Sequence, residues 1–232
     1  HAAARYGHSV LIKDLVNEYE VPPNVINDYG ETPVHLAARG GHLYILKILL
    51  NSDPTLLNAV DSKLYNTVHC AVATGKLDVV KYLCLCGETN ANVPNIEGMY
   101  PIHTASSDGY LDIIEILVEK CGANPLKIKN TWVSNNVLHL AASYGRLDVP
   151  KYFIKNLRMD VGLNVRNKFH ETPFFLATLN NHFDVVKYLI SKGADAKVKD
   201  IQGENVLYYA VCNKDISISR YLLDDGKIES TP

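Results

Sequence analysis

The chain has few of the features that announce chemistry. It holds one tryptophan and two methionines among 232 residues. No apolar run approaches the roughly 20 residues that a membrane-crossing helix needs. Its longest candidates, such as Ile45 to Leu50, are interrupted by Lys47, so membrane insertion within this stretch is excluded. Charge of neither sign prevails. With 23 Lys and Arg against 25 Asp and Glu the formal net charge is -2, which gives no electrostatic footprint for nucleic acid or an anionic surface. Also missing are a Gly-x-Ser-x-Gly elbow, a phosphate-binding glycine loop followed by Lys and Ser or Thr, and a His-Glu-x-x-His pair, so the common hydrolase, nucleotide and zinc-protease signatures do not apply.

What is present is a stride. His1, His35, His69 and His103 follow one another at intervals of 34 residues, and His139 comes 36 residues later. A period in the low thirties with two helical patterns per period marks a stacked-repeat architecture. Around His35 the residues run Thr32-Pro33-Val34-His35-Leu36-Ala37-Ala38 and then Gly41-His42. Thr32 is placed to cap a helix, Pro33 suits its first position and Gly41 its left-handed end. Leu43, Ile45, Leu46, Leu49 and Leu50 then give a second helix an apolar stripe. The pattern returns around His69, His103 and His139, and then with Phe175 and Tyr208 at the histidine position. Where Asn66-Thr67, Asn136-Val137 and Asn205-Val206 replace Thr-Pro, the first helices are expected to begin less rigidly. Asp78, Asp112, Asp148 and Asp184 share one repeat position at the start of second helices, where they favour the positive helix end. That regularity gives them a structural part rather than one in acid–base work.

These motifs, in phase over essentially the whole chain, resemble the ankyrin repeat family. The resemblance implies an all-α solenoid of stacked antiparallel helix pairs with β-turn fingers. The chain is expected to be a single domain of seven repeats, near 1–26, 27–60, 61–94, 95–130, 131–166, 167–199 and 200–232. The links before the fifth and sixth repeats are each two residues longer than the stride, and irregularity is expected between residues 122 and 170. The first repeat lacks its finger and begins at His1, so the chain is expected to be a fragment, with Ala2 and Ala3 at an exposed core edge.

The resemblance also sets the reading of the chemically suggestive residues. In ankyrin repeats such histidines hydrogen-bond backbone groups at the base of neighbouring fingers, so the row is read as structural and no metal or cofactor is expected. Cys84 and Cys86 lack the second pair of a zinc site and are read as packing. Cys70, Cys84, Cys86, Cys121 and Cys212 are odd in number and are expected to be reduced, mostly buried thiols of a cytoplasmic protein. Asn58 and Asn164 fall in loops where ankyrin repeats can be hydroxylated.

The family binds protein or peptide partners through residues the repeat leaves free, on the fingers and at the ends of the first helices. By phase these include Arg5, Tyr6, Tyr29, Arg39, Tyr65, Met99, Trp132, Tyr144 and Phe169, with Asp28, Glu31, Ser62 and Lys63 among their neighbours. Aromatic, Met and Arg side chains are the types enriched in interface cores. The chain is accordingly read as a non-catalytic, monomeric protein-interaction module, an adaptor or scaffold. Three alternatives stay open: the targeting or regulatory arm of a larger enzyme, a segment of a channel or cytoskeletal linker, and a host-directed effector.

Overall fold

The computed structural model describes residues 1–86, 90–125, 130, 132–156, 162–213 and 215–224. Among the described residues there are seven successive pairs of α-helices. They are α1 (Ala2–Tyr6) and α2 (Ser9–Asn17), α3 (Pro33–Gly40) and α4 (Leu43–Ser52), α5 (Thr67–Val72) and α6 (Leu77–Leu85), α7 (Pro101–Asp108) and α8 (Leu111–Glu119), α9 (Val137–Ser143) and α10 (Asp148–Asn156), α11 (Pro173–Leu179) and α12 (Phe183–Ser191), and α13 (Val206–Cys212) and α14 (Ser217–Asp224). This is an all-α solenoid of stacked helix pairs, the fold that the sequence resemblance implies.

Two compact units can be distinguished. One comprises His1–Ala105 with Asp112–Asn124, the other Ser106–Leu111 with Pro125–Pro232. In the first, α3 lies between α1 and α5, while α4 lies between α2 and α6. Ile45, Leu46, Leu49, Val79, Val80, Leu83, Ile113, Ile114 and Leu117 are buried there. In the second, α11 packs on α9 and α13, and α12 on α14. Its core is built from Phe174, Phe175, Val185, Val186, Leu189, Val206, Ile218 and Leu222. Fully burying each such side chain stabilises the fold by about 1.5–3 kcal/mol.

The first helices start on made caps. The Thr32 N–H donates to His35 Nδ1 at 3.1 Å, and Pro33 takes the first helical position. Where asparagine replaces Thr-Pro the cap is also complete. Asn66 Oδ1 accepts from the His69 N–H at 3.0 Å, and Asn136 Oδ1 from the His139 N–H, also at 3.0 Å. The amide oxygen thus does what the threonine hydroxyl does elsewhere. Pro150 lies in the first turn of α10 and is buried there. Asp78, Asp112, Asp148 and Asp184 each sit in the first turn of a second helix.

Each finger is closed by one asparagine or aspartate at its base. Asn27 Oδ1 accepts from the N–H groups of Tyr29 and Glu31 at 3.0 and 2.9 Å. Asp61, Asn95, Asn167 and Asp200 do the same two and four residues on. Neighbouring fingers are joined by backbone. Ser62 N–H donates to the Tyr29 carbonyl and Ile96 N–H to that of Lys63, each at 3.0 Å. Lys168 N–H reaches the Val133 carbonyl and Ile201 N–H that of Phe169, each at 2.9 Å.

The finger turn demands a left-handed residue. Gly30 fills that place at φ 73°, whereas Leu64, Ser134 and His170 fill it elsewhere at φ 62°, 64° and 63°. A Cβ on Gly30 would stand 2.6 Å from Ser62 Oγ and 2.8 Å from Ser62 N. Gly30→Ala therefore combines positive-φ strain with a backbone clash at the finger-to-finger bond. It is expected to lower stability by about 2–3 kcal/mol, read from the shift in the urea midpoint at unchanged slope.

The cysteines are not all reduced and mostly buried. Cys84, at the end of α6, is disulfide-bonded to Cys121, just beyond α8, with a Cα–Cα separation of 5.6 Å. Of the free cysteines only Cys70 is buried, while Cys86 and Cys212 are exposed. The ends of two adjacent second helices approach closely enough to bridge, which residues 37 apart in sequence do not reveal. At the first repeat, Ala2 is exposed but Ala3 is buried, because α1 already packs on α3. The irregular stretch expected between residues 122 and 170 includes 126–129, 131 and 157–161, which lie outside the described residues.

Candidate functional site

The histidines define the floor of the fingers. His35 Nε2 donates to the carbonyls of Ala59 and Tyr65, both at 3.1 Å, while its Nδ1 accepts the Thr32 N–H. His1 reaches the Glu31 carbonyl at 2.9 Å, His69 that of Met99 at 3.1 Å and His139 that of Glu171 at 3.2 Å. Each ring therefore ties the start of one first helix to the next finger; in His35, His69 and His139 the other nitrogen, Nδ1, accepts the N–H of Thr32, Asn66 and Asn136, which leaves the proton on Nε2. Burial lowers the His35 pKa despite its carbonyl partners, and takes that of His69 down to about 4. The His35 and His69 rings are thus neutral structural ties. Among the described residues no group of three or more His, Cys, Asp or Glu is placed to hold a metal.

On that floor, in the first unit, the fingers and helix ends enclose an open groove of about 530 Å³. Arg5, Asp28, Tyr29, Glu31, Arg39, Asp61, Ser62, Lys63 and Tyr65 line it. Arg5 comes from the last turn of α1 and Arg39 from the last turn of α3. Tyr29 and Lys63 are exposed finger residues, and Tyr65 is half-buried where its finger returns to the helix. The Tyr65 ring meets His69 edge-on, at 5.4 Å between centroids, so the tie below also holds the groove wall.

One ion pair organises the groove. Glu31 is buried, and its carboxylate is gripped from two sides by Arg39 and by the Asn27 amide, the latter at 2.9 Å. Burial alone would raise the Glu31 pKa, but hydrogen bonds from Asn27 and Arg39 and the guanidinium charge outweigh it and hold it below the ordinary value. Arg39 also donates to Cys70 Sγ at 3.6 Å. Burial pushes that thiol up to about 12, so it stays protonated and is no nucleophile. Arg39 and Glu31 thus neutralise each other. Arg5, Lys63 and Asp28 take part in no ion pair among the described residues and present their charge to whatever enters. The surface can hold a partner's polar and aromatic groups; it carries no activated nucleophile or poised acid–base pair.

The structure sorts the nine residues expected to bind a partner. Arg5, Tyr29, Arg39 and Tyr65 converge on the groove. Tyr6 lies beside it, 67% exposed, with the Arg5 guanidinium 6.0 Å above its ring. Met99 is half-buried at the base of the next finger. In the second unit Trp132 is 70% exposed on its finger. Tyr144 caps the end of α9, Phe169 stands on the following finger, and both are exposed. Asp28, Ser62 and Lys63 share the phase of the nine and join the groove, as does Asp61, whose finger-base position gave no sign of it. The pairing of Glu31 with Arg39 has no signal at eight residues' separation, because the two meet only once the finger folds back over α3.

Asn58 and Asn164 are engaged in loop-to-loop contacts. Asn58 Oδ1 accepts from the Asn90 N–H at 3.0 Å. Asn164 donates to the Gly193 carbonyl at 3.3 Å and accepts from the Asp195 N–H at 2.8 Å.

A family model described as ankyrin repeats, in three copies, matches residues 1–93, 68–164 and 138–231. The chain is 47% identical over 62 residues to alpha-latrocrustotoxin-Lt1a of Latrodectus tredecimguttatus, covering 27% of this chain and 4% of that protein. It is 29% identical over 99 residues to the nuclear factor NF-kappa-B p105 subunit of Gallus gallus, covering 41% of this chain and 10% of that protein. It therefore spans a small part of the length of these relatives. Among solved structures, the crystal structure of the human ASB11 ankyrin repeat domain superposes with a TM-score of 0.82 over 100% of this chain and 98% of that one. At 24% identity the likeness is one of fold.

Proposed function

The chain belongs to the ankyrin repeat family, whose repeats generally serve as protein–protein interaction modules, and from that premise we propose that it is a non-catalytic adaptor or scaffold domain of seven repeats that holds a protein segment in the groove of its first three. The observation that carries this reading is the convergence of Arg5, Tyr29, Arg39 and Tyr65 on one groove. Tyr29 and Tyr65 supply amphipathic rings, of the kind that dominates binding energy. Arg5, Lys63 and Asp28 supply unpaired charge at its edges. The buried Glu31–Arg39 pair fixes the wall between them, so the surface is preorganised.

The test is affinity capture with the wild type, a Tyr29→Ala/Tyr65→Ala variant and Trp132→Ala, all shown to melt alike. The double variant is expected to weaken binding of the captured partner by about 2–4 kcal/mol, roughly 30- to 1000-fold. Retention by the double variant together with loss on Trp132→Ala would move the interface to the second unit. Unchanged affinity in both would remove the finger face from consideration.

A cytoplasmic location is part of the same proposal, and Cys84 and Cys121 report on it, since disulfides persist in oxidising compartments and not in reducing ones. No described helix is long and apolar enough to cross a membrane. Alkylating the protein at the moment of lysis separates the two cases: three labelled thiols, on Cys70, Cys86 and Cys212, match the bonded structure and place the protein in an oxidising compartment, whereas five would mean that the Cys84–Cys121 bond is open in the cell and the compartment reducing.

A further inference from the structure

The finger bases close their turns with one side-chain oxygen and differ in what the second side-chain atom does. The Asn27 amide donates to Glu31 Oε2 at 2.9 Å. That of Asn167 donates to Glu171 Oε2 at 2.8 Å and to Asn135 Oδ1 at 2.9 Å. At Asp200 the second oxygen, Oδ2, accepts from the Tyr209 hydroxyl at 2.6 Å. Asp61 departs from this pattern. Its Oδ1 accepts from the N–H groups of Lys63 and Tyr65 at 2.8 and 2.9 Å, as a finger base must. Its Oδ2 takes no hydrogen bond or ion pair among the described residues. Asp61 is 9% exposed, and it lines the groove.

A buried carboxylate oxygen without a donor is costly, so a donor entering from the groove completes the position. A cation gains most there, because hydrogen bonds from a charged donor to a carboxylate are about twice as strong as neutral ones. The rings of Tyr29 and Tyr65 line the same groove, and tyrosine faces attract cations. The groove's own cations leave the position open. Arg39 is taken up by Glu31 and Cys70, and Lys63 and Arg5 make no ion pair among the described residues. On the premise that the groove holds a protein segment, we propose that this segment carries a basic side chain, lysine or arginine, whose charged nitrogen binds Asp61 Oδ2 beside the rings of Tyr29 and Tyr65. The competing case is an acidic segment drawn to Lys63 and Arg5. Those two are exposed, so pairing with them is screened by salt and costs side-chain freedom. Asp61 is instead buried and fixed by two backbone N–H groups, so its charge is positioned before anything binds.

The probes are Nα-acetyl-lysine methylamide and Nα-acetyl-arginine methylamide, with the norleucine derivative as uncharged counterpart and the glutamate derivative as the opposite charge. Each is titrated into isotope-labelled protein and followed by amide NMR. The cations are expected to give saturable shifts of the Lys63 and Tyr65 amide resonances, whose N–H groups sit on Asp61. Norleucine is expected to bind at least about tenfold more weakly, and so are both cations to Asp61→Asn. That variant keeps the finger closed, since asparagine does the same at Asn27, Asn95 and Asn167, and its urea midpoint should match the wild type. Should it be destabilised, the comparison of the cations with norleucine on the wild type decides alone. Saturation by one cation only upholds the proposal and names the side chain. No saturable shift with either cation, norleucine or glutamate binding as tightly as the cations, or a folded Asp61→Asn that binds them as the wild type does overturns it. The groove is judged separately: a captured partner that survives Asp61→Asn but is lost on Tyr29→Ala/Tyr65→Ala keeps the groove as its site and removes only the cation.

Discussion

Replacing His35 by alanine is expected to lower the unfolding free energy by about 3–5 kcal/mol, seen as a lower urea midpoint and melting temperature. The ring is fully buried, so its removal opens a cavity. It also deprives the Thr32 N–H of its acceptor and the carbonyls of Ala59 and Tyr65 of a donor they share. A buried polar group left without a partner costs about 1–3 kcal/mol by itself. The sixth repeat indicates how the loss is reduced. There Phe175 stands at the same position, fully buried and edge-on to Tyr209 at 5.2 Å. His35→Phe should therefore restore volume without the bonds and destabilise less than His35→Ala. Because the Tyr65 carbonyl is one of the bonded groups, both variants should also loosen the groove wall. A His35→Ala protein as stable as the wild type would refute the structural assignment of the whole histidine row.

The second large effect is on acid stability. His69 has a folded pKa of about 4 against an ordinary 6.5, because it is buried and uncharged, and His35 is lowered for the same reason. A lowered pKa on a base means that the unfolded chain binds the proton more readily. Between pH 6.5 and 4 the unfolded state thus holds a proton on His69 that the folded state does not, and stability falls as pH falls. The contribution is complete above pH 6.5 and is lost on approach to pH 4. For His69 it is on the order of 3 kcal/mol, and His35 adds to it with the same sign. Urea titrations at pH 7, 6, 5 and 4 measure the slope. His69→Gln should flatten it while lowering stability at pH 7; a slope unchanged in that variant would assign the acid sensitivity to other groups.

Much of this could be seen in the sequence because the repeat writes the same physics several times. The 34-residue stride located the first helices, and the Thr-Pro and glycine signals gave α3 its start and its end. The stripe from Leu43 to Leu50 gave α4. The site was legible only by phase: spacing placed Arg5, Tyr29, Arg39 and Tyr65 on fingers and helix ends, and could not say that these four converge while Trp132, Tyr144 and Phe169 stand in the other unit. What escaped were interactions with no period. Glu31, Asn27 and Arg39 meet through the fold of one finger. Cys84 finds Cys121 because two helices end side by side. Leu64, Ser134 and His170 adopt left-handed backbone with nothing in their side chains to announce it, because the closed finger imposes the conformation.

The recurring joints between fingers are made by main-chain atoms, with side-chain bonds such as Asn167 Nδ2 to Asn135 Oδ1 at 2.9 Å added to them. Ser62 to Tyr29, Ile96 to Lys63, Lys168 to Val133 and Ile201 to Phe169 are each an N–H meeting a carbonyl, and any residue except proline supplies the N–H. Side-chain identity at the outward positions of these fingers is therefore nearly independent of whether the stack forms. A library varying residues 28, 29, 62 and 63 at once should yield mostly folded members that differ in what they hold. The same independence separates what the surface holds from whether the skeleton forms.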